Sequence, residues 1–212
     1  MPDQETPAPE DFRRTSTLLR ELVLENTAEY ITLGNVLDQL GDRAFGFMIF
    51  LLAFPNCLPV PPGFSTVTGL LILPIALQFF WQRERLHLPQ AIRNRPISRA
   101  VLARAVKVIL PGLTAMEKLF RPRWQFLCRG WGERGAGLMI LILTCLLLMP
   151  LPPPMHFLPA SGLALIALGV MERDGLVITG GMLVGLGGMV SLALLGEIVL
   201  KMLARFAHHF QP

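Results

Sequence analysis

Two stretches of this chain are too apolar to be soluble and too long to be single helices. From Ala44 to Trp81 there are 38 residues without Asp, Glu, Lys or Arg, and from Gly135 to Met171 there are 37. At 1.5 Å of rise per residue an unbroken helix of that length would run about 57 Å, against a hydrocarbon core of about 30 Å. Each stretch therefore has to break. Proline supplies the break, because it removes a backbone donor and its ring clashes with the carbonyl four residues back. Pro55, Pro59, Pro61 and Pro62 interrupt the first stretch, and Pro150, Pro152, Pro153 and Pro154 the second. Each half is then a helix of about 16 to 19 residues, about 24 to 28 Å long and marginal for a crossing. Three arrangements fit: a hairpin that enters and returns, a broken pair meeting near mid-membrane, or two short spans with a Pro-rich turn at the surface. The first two put non-helical backbone at lipid depth, where protein or a wet cavity must cover it.

The two stretches are also related to each other. At an offset of 91 residues Gly41-Asp42-Arg43 falls on Gly132-Glu133-Arg134, Pro59 on Pro150, Pro61-Pro62 on Pro152-Pro153, and Ile75-Ala76-Leu77 on Ile166-Ala167-Leu168. Without a gap, 12 of the 37 positions from Gly41 to Leu77 are identical, which is well above chance and marks a duplicated unit. The same offset carries the segment that opens at Leu86 onto the stretch from Gly175 onward, the plainest single span in the chain. If the duplication includes this third element, each unit holds an odd number of membrane elements and the second is upside down relative to the first. The expectation is thus an all-α polytopic membrane protein of two related, inverted repeats. Each contains a Pro-broken helical hairpin, and amphipathic interfacial helices accompany them.

Composition fixes the class. Hydrophobic residues make up 52% of the chain and charged ones 16%, with a mean hydropathy of +0.52, values wrong for a soluble globule. A third uncharged run, Gly175 to Gly196, adds 22 residues. Met1 to Asp42 carries nine Asp or Glu against Arg13, Arg14 and Arg20, so it is no secretory signal, and the first half-helix is expected to insert uncleaved. Cys57, Cys128 and Cys145 have the spacing of neither a metal site nor a disulfide framework, so no metal and no cofactor is expected. Between Gln82 and Arg134 twelve Lys or Arg face only Glu84, Glu117 and Glu133. Basic loops stay cytoplasmic, so the linker 82–134 is expected on the cytoplasmic side against lipid headgroups. No recognition motif accompanies these charges, which argues against nucleic acid.

Along the chain, residues 1–14 read as a disordered acidic tail. The first repeat, 15–110, opens with amphipathic helices at Thr15 to Glu29 and around Val36, Leu37 and Leu40, with Asp38 opposite. Phe79-Phe80-Trp81 followed by Arg83 and Arg85 looks like a membrane exit. Beyond it Ile97, Val101, Ala105 and Val108 make an apolar stripe interrupted by Arg99, Arg104 and Lys107, a basic amphipathic segment. The second repeat, 111–202, carries Trp124 and Trp131 among cations and ends its uncharged run at the boundary turn Glu172-Arg173-Asp174. Residues 203–212 form a cationic tail. In the last span Gly181, Gly185 and Gly188 let helices approach closely, either within one chain or in a homodimer. They are not a nucleotide loop, since no strand precedes them.

Several polar residues stand where chemistry is possible. Asp42, Arg43, Glu133 and Arg134 sit at the mouths of the two runs, where they either bind an anionic solute near helix ends or anchor the helices and pair locally. Asn56, Ser65 and Thr66 flank the prolines and either satisfy freed backbone groups or coordinate a permeant. His156, directly after Pro154, is the one intramembrane histidine and a candidate for proton coupling, although the first copy has Ser65 in its place. Glu197 is expected to meet Lys201 one turn on. No metalloprotease pair, nucleophile elbow, phosphate loop or carboxylate cluster is present, and no domain large enough for a nucleotide sugar, so an enzyme is not expected.

Gly41-Asp42-Arg43, the stretch Pro55-Asn56 to Pro59-x-Pro61-Pro62-Gly63-Phe64-Ser65-Thr66, and Glu172-Arg173-Asp174-Gly175 together resemble the ExoD family of bacterial inner-membrane proteins. The likeness runs from about Ser16 to Leu200. Its second proline motif is the looser one, with Pro154 where the first has Gly63. The resemblance implies an inner-membrane location and a role in exopolysaccharide production; it implies no particular reaction. The expected function is a small transporter or channel-like conduit for a solute or ion. The competing expectation is an assembly or regulatory factor that binds the exopolysaccharide machinery and moves nothing.

Overall fold

Thr32 caps the first described helix: its hydroxyl accepts a hydrogen bond from Asn35 N at 3.3 Å. The computed structural model describes residues 30–58, 61, 63–83, 85–98, 103, 107, 130–149 and 153–209. The acidic tail, the Thr15 to Glu29 helix, Pro59, Pro62, Arg99, Arg104, Trp124, Pro150, Pro152 and the last three residues lie outside them.

A short β1 (Tyr30–Thr32) pairs antiparallel with β2 (Pro96–Ser98), Tyr30 opposite Ser98 and Thr32 opposite Pro96. This pair is a local exception to the all-α expectation. It ties the chain before the first hairpin to the chain after it. α1 (Leu33–Leu40) buries Val36, Leu37 and Leu40, as their spacing predicts, and leaves Asp38 exposed. Asp38 accepts both bonds of Arg93, at 2.8 and 2.6 Å, from α4 (Gln90–Arg93).

A 3-10 turn (Gly41–Arg43) leads into α2 (Ala44–Ala53), and a second 3-10 turn (Phe54–Cys57) follows it. Pro55 sits at the start of that turn, where α2 gives way to it and Leu51 O loses its helical donor. α3 (Phe64–Phe80) starts after Gly63, whose φ of +87° suits glycine. The second hairpin is α5 (Trp131–Leu148) and α6 (Pro153–Glu172), and α7 (Gly175–His209) ends the described chain. The last helix thus continues into what the sequence suggested as a separate tail. The run from Gly41 to Cys57 rises about 29 Å with its 3-10 turns included, close to the roughly 27 Å of α5. The two hairpins are equally deep.

Both hairpins point the same way. Phe45 at the start of α2 stacks on Phe79 at the end of α3, centroids 5.7 Å apart. Arg173 after α6 reaches Asp42 before α2, with Nη2 to Oδ2 at 3.0 Å. Arg134 in α5 donates from Nε to Gln82 Oε1 at 3.2 Å, and Gln82 Nε2 donates to Gly130 O at 3.3 Å. The four charged mouths are therefore together at one end. Inverted hairpins would hold them at opposite ends, so the expected inversion does not describe these contacts. That expectation treated the segment after Arg85 as a third membrane element. Its described part begins with the four-residue α4 and β2, and most of the segment from Arg99 on lies outside the described residues.

Packing crosses between the hairpins. α2 lies on α6 and α3 on α5, more extensively than either hairpin packs on itself. Glycines set these approaches: a Cβ on Gly46 would come within 2.6 Å of Ala167 O and 2.7 Å of Met171 N, and one on Gly137 within 3.1 Å of Phe80 Cα. Ile49, Ile72, Ile140, Leu143, Leu163 and Ile166 fill the middle, all at 0% exposure. α7 runs antiparallel along α6, with Gly181 against Ile166, Gly185 against Gly162 and Gly188 against Pro159. Gly181, Gly185 and Gly188 thus serve packing inside the chain, and the homodimer expectation loses the face it rested on. Among the described residues three stretches are long and apolar enough to cross a membrane, Trp131–Leu148, Met155–Glu172 and Gly175–Glu197.

Candidate functional site

At the closed ends of the hairpins the prolines strip the backbone of donors, and side chains make up the loss. The helix α5 ends at Leu148 and Met149 is extended, with ψ of 134°, so its carbonyl is outside the helical ladder. His156 Nε2 lies 3.1 Å from that carbonyl and supplies its hydrogen bond. The same nitrogen is 3.3 Å from Ser65 Oγ in the other hairpin, and both side chains are only 4% exposed. A carbonyl can only accept, so Nε2 carries the hydrogen and Ser65 Oγ shares it as acceptor. A protonated Nε2 is no base toward Ser65, so the pair is a structural bridge and not an activated nucleophile.

Asn56, 2% exposed, is built in next to it. Its Nδ2 donates to Leu52 O and to Thr68 Oγ1, each at 3.0 Å. The Thr68 hydroxyl can donate in turn to Phe64 O (3.1 Å) or Ser65 O (3.0 Å). Of the residues flagged beside the first prolines, Asn56 and Ser65 enter this cluster, while Thr66 is half-buried and Pro61 and Gly63 are exposed in the turn. Thr68 was missed, although it follows Ser65 at helical spacing on the same face; its counterpart in the second copy is Pro159, so the repeat gave no hint of it. Thr144, fully buried, spends its hydroxyl on Ile140 O at 2.7 Å.

The cluster lies inside the apolar length of α7. Gly188 faces Pro159 in an antiparallel pair, which puts His156 level with Ser191. The next charge on α7 is Glu197, about 9 Å further, and it pairs with Lys201 at 2.6 Å as expected.

The flagged charges gather at the other end. Besides the Arg173–Asp42 pair, Glu133 lies close enough to feel both Asp42 and Arg173. Arg134 stacks over Trp131 at 5.9 Å. Asp174, 3% exposed, caps α7 by accepting from Leu176 N at 2.9 Å. Arg43 and Glu172 also have partners. Break-end and mouth-end residues are therefore separated by the length of α6, 20 residues or about 30 Å. The apolar layer lies between them. Among the described residues no group of His, Cys, Asp and Glu could hold a metal ion.

A sequence model of the family described as "Exopolysaccharide synthesis, ExoD" matches residues 15–194. Protein ExoD of Rhizobium meliloti is 31% identical over 202 residues, covering 93% of this chain and 84% of its own. An uncharacterized protein of Synechocystis sp. is 29% identical over 184 residues, covering 86% of this chain and 83% of its own. No solved structure matches.

Proposed function

This chain belongs to the ExoD family, and we propose that it serves exopolysaccharide synthesis from within the membrane as a transporter or channel-like conduit for a small solute or ion. The observation that carries this is the Ser65–His156 bridge, which joins the two Pro-broken ends with Asn56 and Thr68 beside it. Polar groups at such depth are costly, and in membrane proteins they collect where a permeant or proton is handled. Broken helices meeting at a polar site are a recurring transporter design.

In this reading the two hairpins are related units running in the same sense. Gly46 meets Met171 and Gly137 meets Phe80, and each member of one contact lies 91 residues from its counterpart in the other. The mouth end, with Arg83, Arg85 and Arg95 exposed beside Trp81 and Trp131, faces the cytoplasm of a bacterial inner membrane. No reaction and no cofactor is assigned to the protein.

The competing reading, an assembly or regulatory factor for the exopolysaccharide machinery, is favoured by the fully packed apolar layer between the two polar ends. The two separate on one experiment. With the native cysteines replaced, Ser65→Cys and Asn56→Cys in a functional protein should react with a membrane-impermeant thiol reagent in sealed vesicles. If both stay inert while exopolysaccharide output persists, the conduit is wrong and the assembly factor stands.

A further inference from the structure

We infer that the corner of the mouth where α3 ends and α5 begins binds the headgroup of an anionic phospholipid, with Arg83, Arg85 and Arg134 taking its phosphate beside the indoles of Trp81 and Trp131. This goes beyond the conduit reading and stands whether or not anything is transported.

The 91-residue repeat sets this corner apart from its counterpart. Where α6 ends, beside the turn that opens α2, Arg173 is neutralised by Asp42 at 3.0 Å. The position equivalent to Arg173 is Gln82. Its amide accepts from Arg134 Nε at 3.2 Å and donates to Gly130 O at 3.3 Å. An amide carries no charge, so Arg134 gains a hydrogen bond and keeps its full charge. The same guanidinium lies 5.9 Å from the centre of the Trp131 ring, which fixes its direction. Among the described residues no carboxylate lies within ion-pair distance of Arg83, Arg85 or Arg134. Glu133, next to Arg134 in sequence, instead lies close to Asp42 and Arg173. Glu84 is outside the described residues; with it counted, three cations still face one carboxylate.

The loop that carries the other two arginines is held in place. Gln78 grips both of its ends: its carbonyl accepts from Arg83 N at 3.1 Å, and its side chain exchanges two bonds with the His87 backbone, at 2.8 and 3.0 Å. His87 Nδ1 lies 2.9 Å from Arg85 O, and Leu86 is buried beneath the loop. Arg83 and Arg85 are left exposed. The position equivalent to Gln78 is Gly169, which has no side chain to hold such a loop, and there the chain runs on into α7. Trp81 and Trp131 are the two most exposed large apolar side chains among those described. Indoles settle at the headgroup level of a bilayer, so the arginines beside them stand where lipid phosphates lie. A guanidinium takes phosphate oxygens in two parallel bonds. A zwitterionic lipid brings its own cation beside its phosphate, so a corner with excess positive charge selects a headgroup of net negative charge.

Tryptophan fluorescence reads the corner directly. The chain has three tryptophans, and Trp124→Phe leaves the two that flank the site. The full chain is placed in nanodiscs of mixed phosphatidylcholine and phosphatidylglycerol, with one lipid at a time brominated near the headgroup end of its chains. Brominated phosphatidylglycerol should quench more strongly than brominated phosphatidylcholine at the same fraction, and the preference should weaken as salt rises. Arg83→Gln with Arg85→Gln, whose side chains make no bond among the described residues, should cut the preference about fivefold per arginine. Lys201→Gln, near the far end of α7, should leave it unchanged. Equal quenching by the two lipids, or a preference that survives loss of Arg83 and Arg85, overturns the inference. Inorganic phosphate, set against chloride at matched ionic strength, should not displace the lipid; if it does, the corner takes a free anion and the lipid assignment is wrong.

Discussion

Gln82 and Arg173 stand 91 residues apart and share one unusual backbone conformation, with φ of +53° and +52°; they are the non-glycine residues with positive φ among those described. Each is followed by the same closing bond, Arg83 N to Gln78 O at 3.1 Å and Asp174 N to Gly169 O at 2.9 Å. The two helices therefore end in the same cap, one that ordinarily selects glycine. Each exception sends its side chain across to the mouth of the other hairpin.

Substitution at these caps separates strain from contact. Gln82→Ala and Arg173→Ala lose the crossing side chain and keep the strain, whereas Gln82→Gly and Arg173→Gly lose the side chain and relieve it. We expect the glycine variant to be the more stable of each pair by about 1 kcal/mol. Unfolding in mild detergent followed by circular dichroism would read the order, and alanine above glycine would mean that the caps are unstrained.

The glycines where α2 meets α6 and α3 meets α5 should be intolerant in proportion to their clearance. Gly46→Ala places a Cβ within 2.6 Å of Ala167 O, and Gly137→Ala one within 3.1 Å of Phe80 Cα. Loss of about 1–3 kcal/mol is the usual cost of overpacking, with Gly46→Ala the worse of the two. Gly180→Ala and Gly187→Ala, which meet nothing within 4 Å, should match or exceed the parent in the same melts.

At the closed end the donor matters more than the acceptor. His156→Ala leaves both Met149 O and Ser65 Oγ without their shared donor, while Ser65→Ala leaves the His156–Met149 bond in place. An unmet buried polar group costs about 1–3 kcal/mol. His156→Ala should therefore destabilise clearly and Ser65→Ala little, measured by thermal retention of the monodisperse species. Equal effects would contradict the assignment of the hydrogen to Nε2.

Much of this was legible in the residues. The uncharged runs and prolines gave the hairpins, and the 91-residue offset placed Ser65 and His156 at matching positions before any contact between them was known. Orientation was not legible, because it turned on whether the basic segment after Arg85 crosses the membrane, and composition alone could not distinguish a surface segment from a polar-lined span. The use of Gly181 and Gly185 was equally open, since close approach to α6 and to a second copy demand the same small residues. Thr68 escaped because a threonine in an apolar helix is ordinary until its partner Asn56 is known.

Among the described residues the two hairpins share their mouth end and α7 leads away from it, which sets the relative sides of three positions. Reporter tags after Trp81 and after the C-terminal Pro212 should lie on opposite sides of the membrane, and tags inserted after Trp81 and before Trp131 on the same side. Opposite sides for the last two would split the mouths that Arg134 and Gln82 hold together.

The meeting of the two closed ends is open to direct measurement. In a chain without its native cysteines, Ser65→Cys with His156→Cys should form a disulfide in intact membranes under mild oxidation, visible as a mobility shift reversed by reductant. The shift should be absent when Leu70→Cys, on the exposed side of α3, replaces Ser65→Cys. No bridge between positions 65 and 156, in protein that is inserted and folded, would contradict the account.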